Sequence, residues 1–243
     1  MTKVRVIIPF YKRQDQLDRC KAALDRCDKF LKLYHPNVEL TIDIHDNSEV
    51  NLGFSKAVNI GLRNALNNKD DYAIILNQDC YLFEDAIANM VDFMRDKPKC
   101  FHASIKQVSS SDPDMIIHGG TLECYPTGRH IGGSIKNGDC NVNKRMRWAN
   151  AACVIVNVSL IPDVGLLDQN MVLIGCDSDW SYRARALGFE VWYIADATCI
   201  HEQGVTKGSG KEFQKQMYLD MVYWRTKWIG ADLYRELSME VFD

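Results

Sequence analysis

The chain has 243 residues, with 29 Lys and Arg against 32 Asp and Glu for a net charge of -3, and 47% of its residues are hydrophobic. That length and composition fit one α/β domain with a full core, and the near-even charge without a basic stripe argues against nucleic acid as a partner. The apolar run at residues 4–8 is too short for a secretory signal, and no segment approaches the length of a membrane-spanning helix.

Taken in chain order, residues 4–9 read as a buried strand rich in β-branched side chains. Residues 14–33 carry Leu17, Ala23, Leu24, Cys27, Phe30 and Leu31 at helical spacing. Residues 38–45 alternate as a second strand that ends in the turn formers Asp46-Asn47-Ser48. A helix is expected over 55–66 with Ser55 as its N-cap, a buried strand over 72–76, and an amphipathic helix over 84–94. Short strands alternating with helices predict an α/β fold with a mostly parallel central sheet flanked by helices.

From about residue 109 to 145 the chain is rich in Ser, Gly, Asn and Asp, with pairs at Gly119-Gly120 and Gly132-Gly133, and reads as loops and short hairpins. A strand resumes over 151–156. A helix over 178–187 is stopped by Gly188, and Asp177 stands where its N-cap belongs. Residues 189–194 and 197–201 are extended. Residues 211–228 form a helix with Phe213, Met217, Met221 and Trp224 near one face; its Tyr218, Tyr223 and Trp228 suit either core packing or a peripheral contact. No repeat or linker divides the chain, so one domain spans 1–243.

Nine cysteines are present, an odd number with no C-x-x-C pair. Several, such as Cys153 in Ala151-Ala152-Cys153-Val154-Ile155, lie in apolar runs. Buried, reduced thiols in a cytoplasm-like compartment fit this pattern better than a disulfide framework or a zinc site.

The first strand ends in Pro9-Phe10-Tyr11-Lys12-Arg13 without a glycine-rich loop. That excludes the dinucleotide fingerprint and the P-loop, which use glycines to bring backbone amides onto phosphate. A diphosphate can instead be neutralised by a divalent cation, for which strand-end carboxylates are needed. Asp79 follows the strand Ala73-Ile74-Ile75-Leu76, where ligands bind in open α/β sheets; it is either such a ligand or a turn carboxylate. Asp46 is either a turn former or an acceptor for a nucleobase N–H. Asp177 and Asp179 flank a helix start, where a carboxylate serves as cap, base or both. His201, at the end of an extended stretch, becomes a metal ligand if Asp79 lies beside it.

Four stretches, in this order, resemble the family-2 type of inverting glycosyltransferases with the GT-A nucleotide-diphospho-sugar transferase fold, especially its rhamnosyltransferase-like branch. Val6-Ile7-Ile8-Pro9-Phe10-Tyr11-Lys12-Arg13 is similar to the opening strand and nucleotide loop. Asp46-Asn47-Ser48, with Asn51-Leu52-Gly53-Phe54 and Asn59-Ile60-Gly61-Leu62, is similar to the second-strand aspartate and the helix after it. Leu76-Asn77-Gln78-Asp79 stands in place of the D-x-D metal motif. Asp177-Ser178-Asp179-Trp180 with Arg183, Gly188 and His201 is similar to the base-bearing block.

The resemblance implies a nucleotide-binding half at about 1–100, an acceptor half at about 101–210 and a C-terminal helix at about 211–229. Asp46 and Tyr11 would contact the UDP- or dTDP-sugar donor, with Pro9, Arg13, Asn59 and Asn77 also among the donor-binding positions. Asp79 would hold Mn²⁺ or Mg²⁺, His201 would add a ligand, and Asp177, with Asp179 as the alternative, would be the general base. A glycan hydroxyl would be the acceptor, with residues 118–120 and 148–150 on its side of the cleft and Trp148 either stacking on a sugar or packing in the core. The motif here departs from the family in Asn77 and in Cys176, where acids are usual. Those departures keep open a degenerate domain that only binds nucleotide or glycan. A sugar-phosphate nucleotidyltransferase, the other enzyme class, calls for the glycine-rich loop that is missing.

Overall fold

The computed structural model describes residues 1–121, 131–134, 140–202 and 210–242; Cys124 and part of the glycine-rich middle lie outside them. The chain runs β1 (Thr2–Phe10), α1 (Gln14–Tyr34), β2 (Val38–Asp46), α2 (Phe54–Asn68), β3 (Tyr72–Leu76), β4 (Cys80–Leu82), α3 (Ala86–Arg95) and β5 (Cys100–Ser109). It continues through β6 (Met115–His118), β7 (Gly133–Ser134), β8 (Lys144–Arg145), β9 (Cys153–Asn157), α4 (Ile161–Val164), α5 (Cys176–Ala186), β10 (Glu190–His201), α6 (Lys211–Trp228) and α7 (Asp232–Met239).

The period-2 alternation of a strand decides the layering. Val4, Val6, Ile8 and Phe10 of β1 turn to one face and pack with Leu17, Leu24 and Leu31 of α1 and Met90 of α3. Ile7 turns to the other face, against Val58 and Leu62 of α2. On that second face the core continues into Trp180 of α5 and Trp224 and Trp228 of α6. With apolar layers on both sides the sheet is buried, as a parallel set requires.

The strand order is β2-β1-β3-β9-β5-β10-β4. β1 pairs in parallel with β2 and β3, and β5 in parallel with β10. β9 inserts antiparallel between β3 and β5, and β4 pairs antiparallel with β10. The parallel expectation holds for the first three strands; the later insertion makes the whole sheet mixed. A parallel neighbour for β3 needs a crossover, whereas the chain reaches β9 from the opposite end.

Several local expectations are corrected. Helix α2 begins at Phe54 behind Gly53, which has φ 78°, and Ser55 caps nothing; its hydroxyl donates to the Met171 carbonyl instead. Asp177 lies inside the first turn of α5, whose N-cap is Gly175 at φ 81°. Glu190–His201 form one strand whose register against β5 shifts between Ile194 and Thr198. Strand β5 and helix α7 have no counterpart in the sequence expectations. Among the described residues eight cysteines are free and buried, as the apolar runs around them imply.

Gly61 sets how closely α2 approaches the sheet. A Cβ there would lie 2.5 Å from Ile7 Cγ2 and 2.7 Å from Cγ1, and Ile7 is fully buried with no room to withdraw. Overpacking costs about 1–3 kcal/mol, against about 1 kcal/mol gained in helix propensity on replacing Gly by Ala. Gly61→Ala is therefore expected to lower the melting temperature, and adding Ile7→Val to restore part of the loss in a thermal denaturation series.

Candidate functional site

The ends of β1, β3 and β10, the start of α5 and one face of α6 enclose a cleft of about 830 Å³. Pro9, Tyr11, Asn77, Asp79, Asp177 and His201 all line it.

The turn Asn77-Gln78-Asp79 links β3 to β4, and each of its residues has a separate task. The Asn77 N–H donates to the Ala152 carbonyl at 2.8 Å, and the Cys80 N–H closes the turn on the Asn77 carbonyl at 3.0 Å. Gln78 is buried and reaches back to β1, where its Oε1 accepts from the Tyr11 N–H at 2.6 Å. Its Nε2 donates to the Tyr11 carbonyl at 3.3 Å and to Gln16 Oε1 at 3.1 Å. One amide thus clamps the loop after β1 from both sides of a residue, as a neighbouring strand would. Lys12, next in that loop, has φ 58°, a left-handed backbone that a non-glycine residue adopts only where its surroundings hold it. Its N–H donates to Ser48 Oγ at 3.0 Å, tying the ends of β1 and β2 together.

Asp79 meets His201 through the β4–β10 ladder. His201 stands opposite Cys80 in register, and the Glu202 N–H donates to the Asp79 carbonyl at 3.0 Å. His201 Nε2 lies 3.6 Å from Asp79 Oδ1. With Cys80 Sγ these donor atoms fall within 4.8 Å of one another, the one such group among the described residues. A carboxylate oxygen and an imidazole nitrogen at this separation suit a divalent cation. Burial drives the Cys80 thiol well above its ordinary range, which leaves it a protonated and poor ligand.

Asp177 and Asp179 lie two positions apart on α5, so a 100° turn per residue sends them to opposite faces. Asp179 is fully buried and accepts from Arg183 Nε at 2.9 Å, Trp228 Nε1 at 2.9 Å and Lys227 Nζ at 2.7 Å. Its carboxylate ties α5 to α6 and lies outside the cleft. Asp177 faces the cleft, and its partners among the described residues are the backbone N–H groups of Ser178, at 2.9 Å, and Ala151, at 3.4 Å. Desolvation, offset by no cation among the described residues, pushes its carboxyl above the usual carboxylate range.

Three other sequence candidates lie apart from the cleft lining. Asn59 is buried under the loop before α5 and bonds both the N–H and the carbonyl of Leu167, at 3.0 and 2.8 Å. Arg13 pairs with Asp15 on the surface. Asp46 is exposed, and its Oδ1 accepts from the Ser48 N–H at 2.8 Å in an Asx-turn; the Ser48 side chain first, and then this N–H, holds its carboxyl low. Its neighbour Asn47 lines the cleft. Trp148 is buried with part of its surface on the cleft, whereas His118 is buried and paired with Ser104.

The sequence expectations missed the wall supplied by α6. Glu212, Phe213 and Gln216 line the cleft, and the fully buried Asp220 accepts from the N–H groups of Leu173 and Ile174 at 2.6 and 3.0 Å. This carboxylate holds the loop that leads into Asp177. A lone aspartate amid Met217, Met221 and Trp224 was the available signal, since an acid on an apolar helix face must find donors.

A half-buried anion with no cation beside it among the described residues makes stability depend on pH with a definite sign. The folded-state pKa of Asp177 is raised, so its contribution to stability is fully present below the ordinary carboxylate range and is lost as pH rises through the folded value. Asp177→Asn is expected to melt near the wild type in acid and above it at neutral pH, by calorimetry across the range. A constant gap would contradict the assignment.

Residues 25–144 match the family model described as Glycosyl transferase family 2. The matched stretch holds Asp79 and ends before Asp177 and His201. No curated protein matches the sequence. Among solved structures, GalNAc-T7, crystallised with UDP, GalNAc and Mn²⁺, is similar at TM-score 0.57 and 14% identity, over 98% of this chain and 54% of that one. Residues 1–349 of S. aureus TarS are similar at TM-score 0.57 and 11% identity, over 98% of this chain and 68% of that one. The catalytic domain of Drosophila beta1,4galactosyltransferase 7, in complex with xylobiose, is similar at TM-score 0.55 and 14% identity, over 89% and 80%. The chain thus spans about half of the GalNAc-T7 structure, and these low identities carry the fold. No helix among the described residues is long and apolar enough to cross a membrane. Residues 25–144 are thus similar to family 2 glycosyltransferases, and the chain has the GT-A fold of these solved structures.

Proposed function

We propose that the protein moves a hexose or deoxyhexose, rhamnose among them, from a UDP- or dTDP-sugar to a glycan hydroxyl with inversion at the anomeric carbon. The observation that carries this is the convergence, in one cleft, of the Asp79–His201 pair and an Asp177 carboxylate with no cation beside it among the described residues.

Pro9 near the end of β1 and Tyr11 in the loop after it, clamped by Gln78, would face the nucleotide. Asp46 contacts the base from the rim beside Asn47, at the end of β2. When bound to Asp79 and His201, Mn²⁺ or Mg²⁺ supplies charge neutralisation for the diphosphate. Asp177 takes the proton from the acceptor hydroxyl, for which it must come within about 3 Å of that oxygen. The acceptor oxygen bonds to the anomeric carbon as the bond from that carbon to the phosphate oxygen breaks, and the nucleoside diphosphate leaves on the opposite side. A raised pKa suits Asp177 to this exchange, since a stronger base takes the proton more readily. Trp148 and the α6 residues Phe213 and Gln216 form the wall toward the acceptor. Eight buried free thiols support a reducing, cytoplasm-like setting.

The test is incubation with UDP- and dTDP-sugars and Mn²⁺, following donor hydrolysis and then transfer across an acceptor screen. Turnover that Asp79→Ala abolishes, with a product of inverted anomeric configuration by NMR, is expected. Nucleotide binding without turnover on any acceptor would instead make the domain a binding module, and retained configuration would remove Asp177 from its role.

A further inference from the structure

His201 has two ring nitrogens, and its value as a ligand depends on which one carries the proton. The hydrogen-bond chain behind it decides this from a donor that admits no ambiguity. The backbone N–H of Ala152 donates to the Asn150 side chain at 3.0 Å, so the atom it meets is the carbonyl oxygen Oδ1. That same oxygen lies 3.1 Å from the Gln107 amide, which must present its Nε2 as donor. Gln107 then turns Oε1 toward His201 Nδ1 at 2.8 Å, and an amide oxygen only accepts. His201 Nδ1 therefore carries the proton. In the neutral ring the lone pair is then on Nε2, the atom 3.6 Å from Asp79.

Gln107 is 1% exposed, so water does not compete for its bonds. It lies on β5, paired in parallel with β10, and fixes ring orientation as well as tautomer. The turn that starts the chain also reaches the other half of the cleft, because the Ala151 N–H donates to Asp177.

We infer that Gln107 is the positioning residue for His201, holding the ring in the tautomer and orientation that present Nε2 to a divalent cation beside Asp79. This rests on the metal reading of the Asp79–His201 pair given above. A hydrogen-bonded partner behind a ligating histidine typically accounts for about 10- to 100-fold in metal affinity.

The test is Mn²⁺ affinity by electron paramagnetic resonance in the presence of UDP and, separately, dTDP, with folding checked by circular dichroism. Gln107→Leu is expected to weaken Mn²⁺ binding by about 10- to 100-fold. Gln107→Glu, which keeps an acceptor for Nδ1–H, restores most of it. Because Gln107 acts through His201, Gln107→Leu added to His201→Ala costs nothing further. Wild-type affinity in Gln107→Leu, or an additive loss in the double variant, overturns the inference while leaving the metal pair standing. Equal affinity in the wild type and His201→Ala removes the metal pair and the inference with it.

Discussion

The short antiparallel ladder between β4 and β10 is the constraint on which the site depends. Cys199, Ile200 and His201 pair with Leu82, Tyr81 and Cys80, and the Glu202 N–H extends the ladder onto Asp79. Two residues far apart in sequence are thereby held as cross-strand neighbours at the ladder's end. Beneath it the buried side chains of Cys80, Cys153 and Cys199 belong to one apolar cluster with α1 and α3, so the pair rests on packed core. β10 brings His201 there through a long parallel pairing with β5 that absorbs a register shift on the way.

The cleft's second half is arranged by carboxylates in contrasting surroundings. Asp179 and Asp220 are buried and served by donors, and both are spent on architecture: one ties α5 to α6, the other holds the loop before α5. Asp177, in the first turn of α5, has backbone donors and no cation among the described residues. Removing solvent from an anion without such compensation raises the free energy of its charged form. That cost suits the proton acceptor proposed for this cleft, and the surrounding fold bears it. Acid-block spacing alone left Asp177 and Asp179 as alternatives; helix geometry and hydrogen bonding separate them.

Local patterns made the first half of the fold legible. Period-2 and period-3.6 hydrophobicity in β1 through α3 depends on neighbours within a few residues, and the position of Asp79 just past β3 follows from it. β5 was not legible for a physical reason. Its sequence includes His102, Ser104, Lys106 and Gln107, which read as polar, yet nearly every residue is buried. Their partners Ser181, His118, Asn141 and His201 come from other elements, and no local window contains them. The same holds for Gln78 and Asp220, whose tasks exist only once the loops they hold are in place. Asn59 was legible as important but not in kind, because it braces the loop at Leu167 instead of meeting a ligand.

The central claim is that Asp79 and His201 together hold the cation that a nucleoside diphosphate brings to this cleft. Diffraction from crystals grown with Mn²⁺ and UDP or dTDP, recorded at a wavelength where manganese scatters anomalously, tests it most directly. The account predicts one anomalous peak within bonding distance of both Asp79 and His201 Nε2, with diphosphate oxygens completing the shell. A peak bound elsewhere in the cleft, or diphosphate seated there with His201 turned away, would contradict it.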